Sequence, residues 1–307
     1  MKVLITGGAG FIGSHIAQQL QLRGEVRVLD NLRTGYRRNL DGLRVDFIEG
    51  SILDRAVVRE AVREVDYVFH LAGMVSVPES VQDPHQCVEL NITGLLCVLE
   101  AAAEAGVRKL CFSSSAAIYG DNPTVPKHEQ MLPEPRSPYA VTKLDGEYYC
   151  RQYTEAGRLE TVAFRYFNVI GPRQDPCSNY ASAVPIFIRQ ALLHQPLTIY
   201  GDGAQTRDFI HVDDVVAANI FGATTQGLTG VFNVGYGGQV SVNDLARRII
   251  EMADSRSIIQ YAPERPGDVR HSRASVEAIQ TAGFTPVSSL DIGLSETLAY
   301  LRKTTVA

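Results

Sequence analysis

A short β-rich run, residues 2–6 (KVLIT), opens straight into glycines, and apolar side chains then recur at helical spacing: Phe11, Ile12, Ile16, Leu20. No other feature narrows the fold as much. Gly8-Ala9-Gly10-Phe11-Ile12-Gly13 fits G-x-G-x-x-G, and Gly7, Gly10 and Gly13 also give G-x-x-G-x-x-G. Glycine permits positive φ in the turn and lets backbone come close to a pyrophosphate. The helix that follows offers unpaired N–H groups and a partial positive charge to the same phosphates. The next run, residues 25–30 (EVRVLD), alternates like a strand and ends on Asp30. An acid about 20 residues past the glycines is placed to accept ribose hydroxyls and to repel a 2′-phosphate, so the pattern predicts NAD rather than NADP. Arg33, Arg37 and Arg38 lie close by and pull the other way.

Further apolar runs end at Glu49, His70, Ser113 and Arg165, with helical patterns between them at residues 54–64, 90–105 and 139–157. Strands alternating with helices predict βαβ units, hence an α/β fold built on a doubly wound parallel sheet. After Asn168 prolines and glycines become frequent. Residues 212–224 read as a helix and 231–234 as a returning strand. The expected division is a dinucleotide-binding domain over 1–167, with returns at about 208–236, and a smaller C-terminal substrate-binding domain over 168–207 and 237–307.

The chain has 307 residues, a formal net charge of −5, 45% apolar and 21% charged residues. That composition is ordinary for a globular protein. Mild acidity argues against nucleic acid or anionic membrane as a partner. No run approaches membrane-span length, and the glycines break the N-terminal apolar stretch, which is therefore read as a strand and not a leader. The five cysteines (87, 97, 111, 150 and 177) are widely spaced without a C-x-x-C. Free thiols in a cytoplasmic protein are expected, with no metal cluster.

Tyr139 and Lys143 stand four apart on a helical pattern, so they share a face. Ser113-Ser114-Ser115 ends a strand upstream in the same sheet, at the edge where chemistry gathers in such folds. With TGGAGFIGSH (6–15), LDN (29–31), HLAG (70–73), FSSSAAIYG (112–120), SPYAVTK (137–143), RYFNVIGPRQDP (165–176), GDGAQTRDFIHVDD (201–214) and RPGDVR (265–270), the chain resembles an extended short-chain dehydrogenase/reductase. Within that superfamily it is similar to the UDP-hexose and UDP-N-acetylhexosamine 4-epimerases, over residues 2 to about 301.

The resemblance implies a Rossmann domain, NAD, a UDP-sugar substrate and inversion at C4 through a 4-keto sugar. It implies that Tyr139 takes the 4-hydroxyl proton, and that Lys143 holds the nicotinamide ribose and lowers the tyrosine pKa. Ser115 would position the hydroxyl, supported by Ser113. The cofactor would lie along Gly7, Gly10, Phe11, Ile12, Gly13, Asp30, Asn31, Ser51, Ile52, Leu71, Ala72, Gly73, Asn91, Ser113, Tyr139, Lys143 and Phe167. The sugar nucleotide would meet Ser115, Tyr139, Asn168, Thr198, Tyr200, Arg207, Arg265, Asp268 and Ser272. A homodimer paired through helices 90–105 and 139–157 is implied as well.

Related dehydratases and decarboxylases carry an acid just after the catalytic Ser or Thr, whereas Ala116, Ala117 and Ile118 follow Ser115. Three positions depart from the family's pattern. Ser51 stands where many relatives carry an Asp against the adenine, while Val75 and Ser272 replace a Lys and a bulky Tyr of the hexose-specific enzymes. The segments SVPESVQDP (76–84) and RYFNVIGPRQDP (165–176) resemble the branch that handles N-acetylated UDP-hexosamines. A UDP-uronate 4-epimerase is the alternative, though Asn168 departs from its usual Thr. A non-catalytic nucleotide-sensing protein is opposed by the intact Ser115, Tyr139 and Lys143.

Overall fold

A computed structural model describes residues 1–176, 182–264 and 270–305. Among these, seven strands form one parallel sheet: β1 (Lys2–Thr6), β2 (Glu25–Asp30), β3 (Asp46–Glu49), β4 (Tyr67–His70), β5 (Lys109–Ser115), β6 (Glu160–Tyr166) and β7 (Gly230–Val234). Their order across the sheet is β7-β6-β5-β4-β1-β2-β3, with the winding reversed at β1. Central strands of a parallel sheet are covered on both faces and so read as continuous apolar runs. In β1, Val3 and Ile5 enter one core with Ile16 and Val215, while Leu4 enters the other with Val58, Leu95 and Val98.

The helices that matter for the site are α1 (Phe11–Leu20), α2 (Arg55–Ala61), α3 (Val77–Gln82), α4 (Pro84–Glu104), α5 (Pro138–Glu155) and α6 (Val212–Thr224). Ser137 caps α5 by accepting the Ala140 N–H at 3.2 Å, and Pro138 occupies its first turn, where a missing N–H costs nothing. Helix α4 begins earlier than its periodicity suggests, because Asp83 and Pro84 supply a cap and a first turn, with Asp83 Oδ1 accepting from Gln86 N at 2.9 Å. Residues Glu89–Thr93 form a π-helical turn within it.

Contrary to the sequence expectation, α4 reaches 21 residues and contains an 18-residue window of mean hydropathy 1.3, enough by length and composition alone to cross a membrane. Its apolarity has a local cause, since Cys87, Leu95, Val98 and Leu99 are buried in the folded chain. β5 and β6 also run slightly further than predicted, to Ser115 and Tyr166.

A third core gathers Ile170, Phe187, Leu197, Ile199, Leu245, Ile249, Leu294 and Leu298. Short paired strands frame it: Asn168–Ile170 with Phe209–His211, Leu197–Tyr200 with Ile259–Ala262, and Thr206–Arg207 with Val240–Ser241.

Candidate active site

The carboxyl ends of β1, β2, β4 and β5 open toward one edge. After β1, Gly7 has φ +72°, and a Cβ there would lie 2.7 Å from Ala72 N. A Cβ on Gly13 would lie 2.4 Å from the Gly7 carbonyl oxygen. The loop therefore packs backbone on backbone, and only glycine fits. Gly10 precedes α1, whose first turn has no side-chain cap and no acidic residue. Phe11 and Ile12 follow in that turn. This is the cradle a pyrophosphate requires.

Asp30 is buried, with Oδ2 accepting from Ala9 N at 2.9 Å and Oδ1 from Leu32 N at 2.8 Å. Burial raises its pKa, and the two N–H donors pull it back. Each oxygen retains acceptor capacity for a ribose hydroxyl. The neighbouring arginines are engaged elsewhere. Arg33 pairs with Glu79 and Gln86, while Arg37 and Arg38 stack on Phe47 and Tyr36 at 3.8 and 3.9 Å. The competing signal for a 2′-phosphate is thereby weakened. Asn31 Oδ1 accepts from Arg33 N at 3.1 Å, Ser51 Oγ from Leu53 N at 3.2 Å, and the buried Ile52 packs where a Gly94 Cβ would go.

Leu71, Ala72 and Gly73 continue from β4, with Leu71 N donating to Thr6 O at 3.1 Å. Asn91 lies in the π-turn of α4 and does not turn its amide to an open groove. Its Oδ1 accepts from Met74 N at 2.7 Å, and its Nδ2 donates to Met74 O at 3.0 Å and Thr142 Oγ1 at 2.9 Å. The side chain bolts the Leu71–Met74 loop to α5. A buried amide must satisfy its hydrogen bonds, and Asn91 does so within the protein.

Ser115 is the last residue of β5, and its Oγ accepts from Ala117 N at 3.1 Å. Tyr139 and Lys143 face it from the first turns of α5. Ser80 Oγ accepts the Tyr139 N–H at 3.1 Å, and Lys143 Nζ donates to the Ser113 carbonyl at 2.7 Å. Ser113 Oγ donates to Tyr166 at 3.2 Å. Burial pushes Tyr139 up, while a hydrogen bond with Ser115 pulls it down. Burial also drives Lys143 down to about 8. The expected lowering of Tyr139 by Lys143 is therefore not what the protein groups alone produce. Nζ lies 5.8 Å from the tyrosine ring centre, and desolvation of both groups dominates.

One turn further along the same face, Glu147 forms a buried ion pair with Arg165 at 2.7 Å and accepts from Ser114 Oγ. The spacing of Tyr139 and Lys143 was legible in the sequence, but Glu147 one turn on and the partners Ser80, Thr142 and Arg165 were missed.

On the other side of the cleft, Asn168 Nδ2 donates to Asp208 O at 2.9 Å. Phe167 is mostly buried with Ile118, Tyr119 and Ala274. Thr198 and Tyr200 lie on one short strand, where Tyr200 O accepts from Gln205 Nε2 at 2.8 Å. Arg207 lies on another, and Ser272 N donates to Thr206 O at 3.1 Å beside it. Arg265 and Asp268 lie outside the described residues.

The model of the NAD dependent epimerase/dehydratase family matches residues 3–235. The chain belongs to that family. NAD is the family's cofactor, and the glycine cradle with the buried Asp30 fits it. Relatives within and around this epimerase/dehydratase family are similar over the whole chain. A UDP-glucose 4-epimerase of Thermotoga maritima, solved with UDP-glucose, is 40% identical, covers 99% of this chain and 100% of its own, and has a TM-score of 0.95. A UDP-N-acetylglucosamine 4-epimerase of Methanobrevibacter ruminantium, solved with UDP-N-acetylmuramic acid, is 38% identical, covers 99% and 98%, and also has a TM-score of 0.95. A UDP-N-acetyl-alpha-D-glucosaminuronate decarboxylase of Bacillus cytotoxicus is 34% identical over 98% of each chain.

Proposed function

We propose that this protein inverts C4 of a UDP-linked sugar through a 4-keto intermediate, acting on glucose/galactose and on their N-acetylated forms. Epimerases and a decarboxylase are similar to it at comparable identity, so the site must choose between the reactions. The observation that carries the choice is the turn after β5. Ala116, Ala117 and Ile118 offer no proton-transferring group. The Tyr119 hydroxyl is buried, donating to Asn233 Oδ1 at 2.6 Å and accepting from Arg165 at 2.9 Å. Nothing in that turn can take a proton from C5, as elimination requires, whereas Tyr139 and Ser115 suffice for a 4-hydroxyl.

When bound, NAD supplies the redox partner for C4 and a fixed positive charge. Tyr139 accepts the 4-hydroxyl proton and later gives it back. Ser115 orients that hydroxyl toward Tyr139. Lys143, held by the Ser113 carbonyl, presents donors to the nicotinamide ribose. Thr198 and Tyr200 hold the uracil. Arg207, with Arg265, grips the diphosphate as a guanidinium fork does, and Asp268 takes the uridine ribose. A firm hold on UDP leaves the sugar free to present both faces. Ser272 is small and half-buried, leaving room for an acetamide.

The nucleotide domain is assigned to residues 1–167 with 208–236, and the sugar-binding domain to 168–207 and 237–307. The separate third core, drawn from residues 170–199 and 245–301 with Phe209 added from the returning segment, supports this division. A homodimer paired through α4 and α5 is supported by the exposed apolar side chains Val88, Val141 and Tyr148 on them. A cytoplasmic setting agrees with the free Cys87, Cys97, Cys111 and Cys150. Incubation with UDP-glucose, UDP-N-acetylglucosamine and UDP-glucuronate, read by NMR, tests the function. The C4 epimers of the first two are expected. A decarboxylated product, or conversion of the uronate alone, would overturn the reading.

A further inference from the structure

Arg33 and Glu79 form an ion pair, and Arg33 Nη2 also donates to Gln86 Oε1 at 2.9 Å. The two side chains are only 30% and 21% exposed, unlike most ion pairs of this molecule's surface. Their positions in the fold give the contact its interest. Arg33 follows β2 and Glu79 follows β4, and these strands flank β1 on either side. Between them, at the same sheet edge, lies the glycine loop Gly7–Gly13. The contact therefore joins the two walls of the dinucleotide groove past its floor.

Both ends are anchored. Arg33 N donates to Asn31 Oδ1 at 3.1 Å, and Leu32 N to the buried Asp30 carboxylate at 2.8 Å. Glu79 lies in the first turn of α3, where its N–H donates to Ser76 Oγ at 3.0 Å. The next residue, Ser80, accepts the Tyr139 N–H. A strap so anchored cannot open without moving α3 or swinging Arg33 away from two partners.

We propose that Arg33, Glu79 and Gln86 form a latch across the dinucleotide groove that sets how slowly NAD leaves. The inference rests on NAD being the family's cofactor and not on the identity of the sugar. A catalyst that regenerates its cofactor in every turnover loses nothing by holding it. The latch also ties cofactor retention to the helix that presents Tyr139, through Ser80.

The test is the dissociation rate of NAD from the loaded protein, chased with excess isotopically labelled NAD. Exposed ion pairs contribute little, so a small effect is the outcome to beat. Arg33→Met and Glu79→Gln should each speed release about three- to tenfold. The double variant should be no faster than the faster single, because both break one contact. The swapped pair, Arg33→Glu with Glu79→Arg, should return release to within about twofold of wild type. High salt should accelerate wild type more than the single variants. Unchanged release in Glu79→Gln, which keeps shape and removes only charge, would overturn the latch even if Arg33→Met failed to fold. Additive acceleration in the double variant would overturn it as well. Loss of epimerase activity with unchanged NAD release would overturn the latch too, whereas faster NAD release from a protein that epimerises no sugar would support the latch and leave only the sugar reading to fail.

Discussion

Tyr139 sits where burial resists its ionisation, with Ser115 bonded to it and Lys143 one turn away. A base in such a place acts only with help from the complete site, which ties proton removal to the presence of both ligands. Tyr139→Phe should keep the fold and NAD retention yet lose about two to four orders of magnitude in kcat, the span usual for a general acid–base residue. Near-wild-type turnover would remove Tyr139 from the chemistry. Lys143 gives a second residue-scale prediction. Its fall from 10.5 to about 8 amounts, at ~1.4 kcal/mol per pH decade, to about 3 kcal/mol of native-state cost at pH 7. Between these two values the unfolded chain holds the proton and the native chain does not, so stability rises with pH across that window. Below it both states are charged and the full cost is present. Lys143→Met should therefore be inactive but no less stable than wild type at neutral pH. Its advantage in denaturant melts should shrink as pH climbs from 8 toward 10.5. A variant less stable at pH 7 than at pH 10, relative to wild type, would contradict the assigned cause.

At the scale of elements, what the sequence disclosed was whatever is periodic or local. The glycine turn, Asp30 at the end of β2, the pair Tyr139 and Lys143, and helix 212–224 all announce themselves within a few residues. The hydrogen bonds of Asn91 did not, because Met74 and Thr142 are brought beside it only by the fold. Neither did the partners of Arg33, which lie 46 and 53 residues away in sequence. The ends of β5 and α4 were misjudged because polar serines and a Pro–His–Gln turn hide the pattern that tertiary packing continues. The ion pair joining α5 to β6 belongs to this scale too. Glu147 and Arg165 are 4% and 5% exposed, so removing one partner strands a buried charge. Glu147→Gln should cost about 3–5 kcal/mol in urea unfolding. Replacing both by Met should cost less than Glu147→Gln alone. A loss under ~1 kcal/mol in the single variant would show that the pair is solvated in practice.

For the whole molecule, α4 and α5 cover one face of the sheet and still present apolar side chains outward, with Val88 49% and Val141 43% exposed. The proposed two-fold pairing of that face would cover them. Val88→Asp with Val141→Asp should shift the mass in light scattering from dimer to monomer, and a monomeric wild type would refute the pairing. The central claim is that C4 is oxidised and reduced in place, with the sugar turning between the two steps. UDP-glucose carrying deuterium at C4, incubated in ordinary water and followed by NMR, tests that claim most directly. UDP-galactose that still carries the deuterium at C4 is the predicted result. Product with hydrogen at C4, or deuterium washed out to solvent as conversion proceeds, would contradict it.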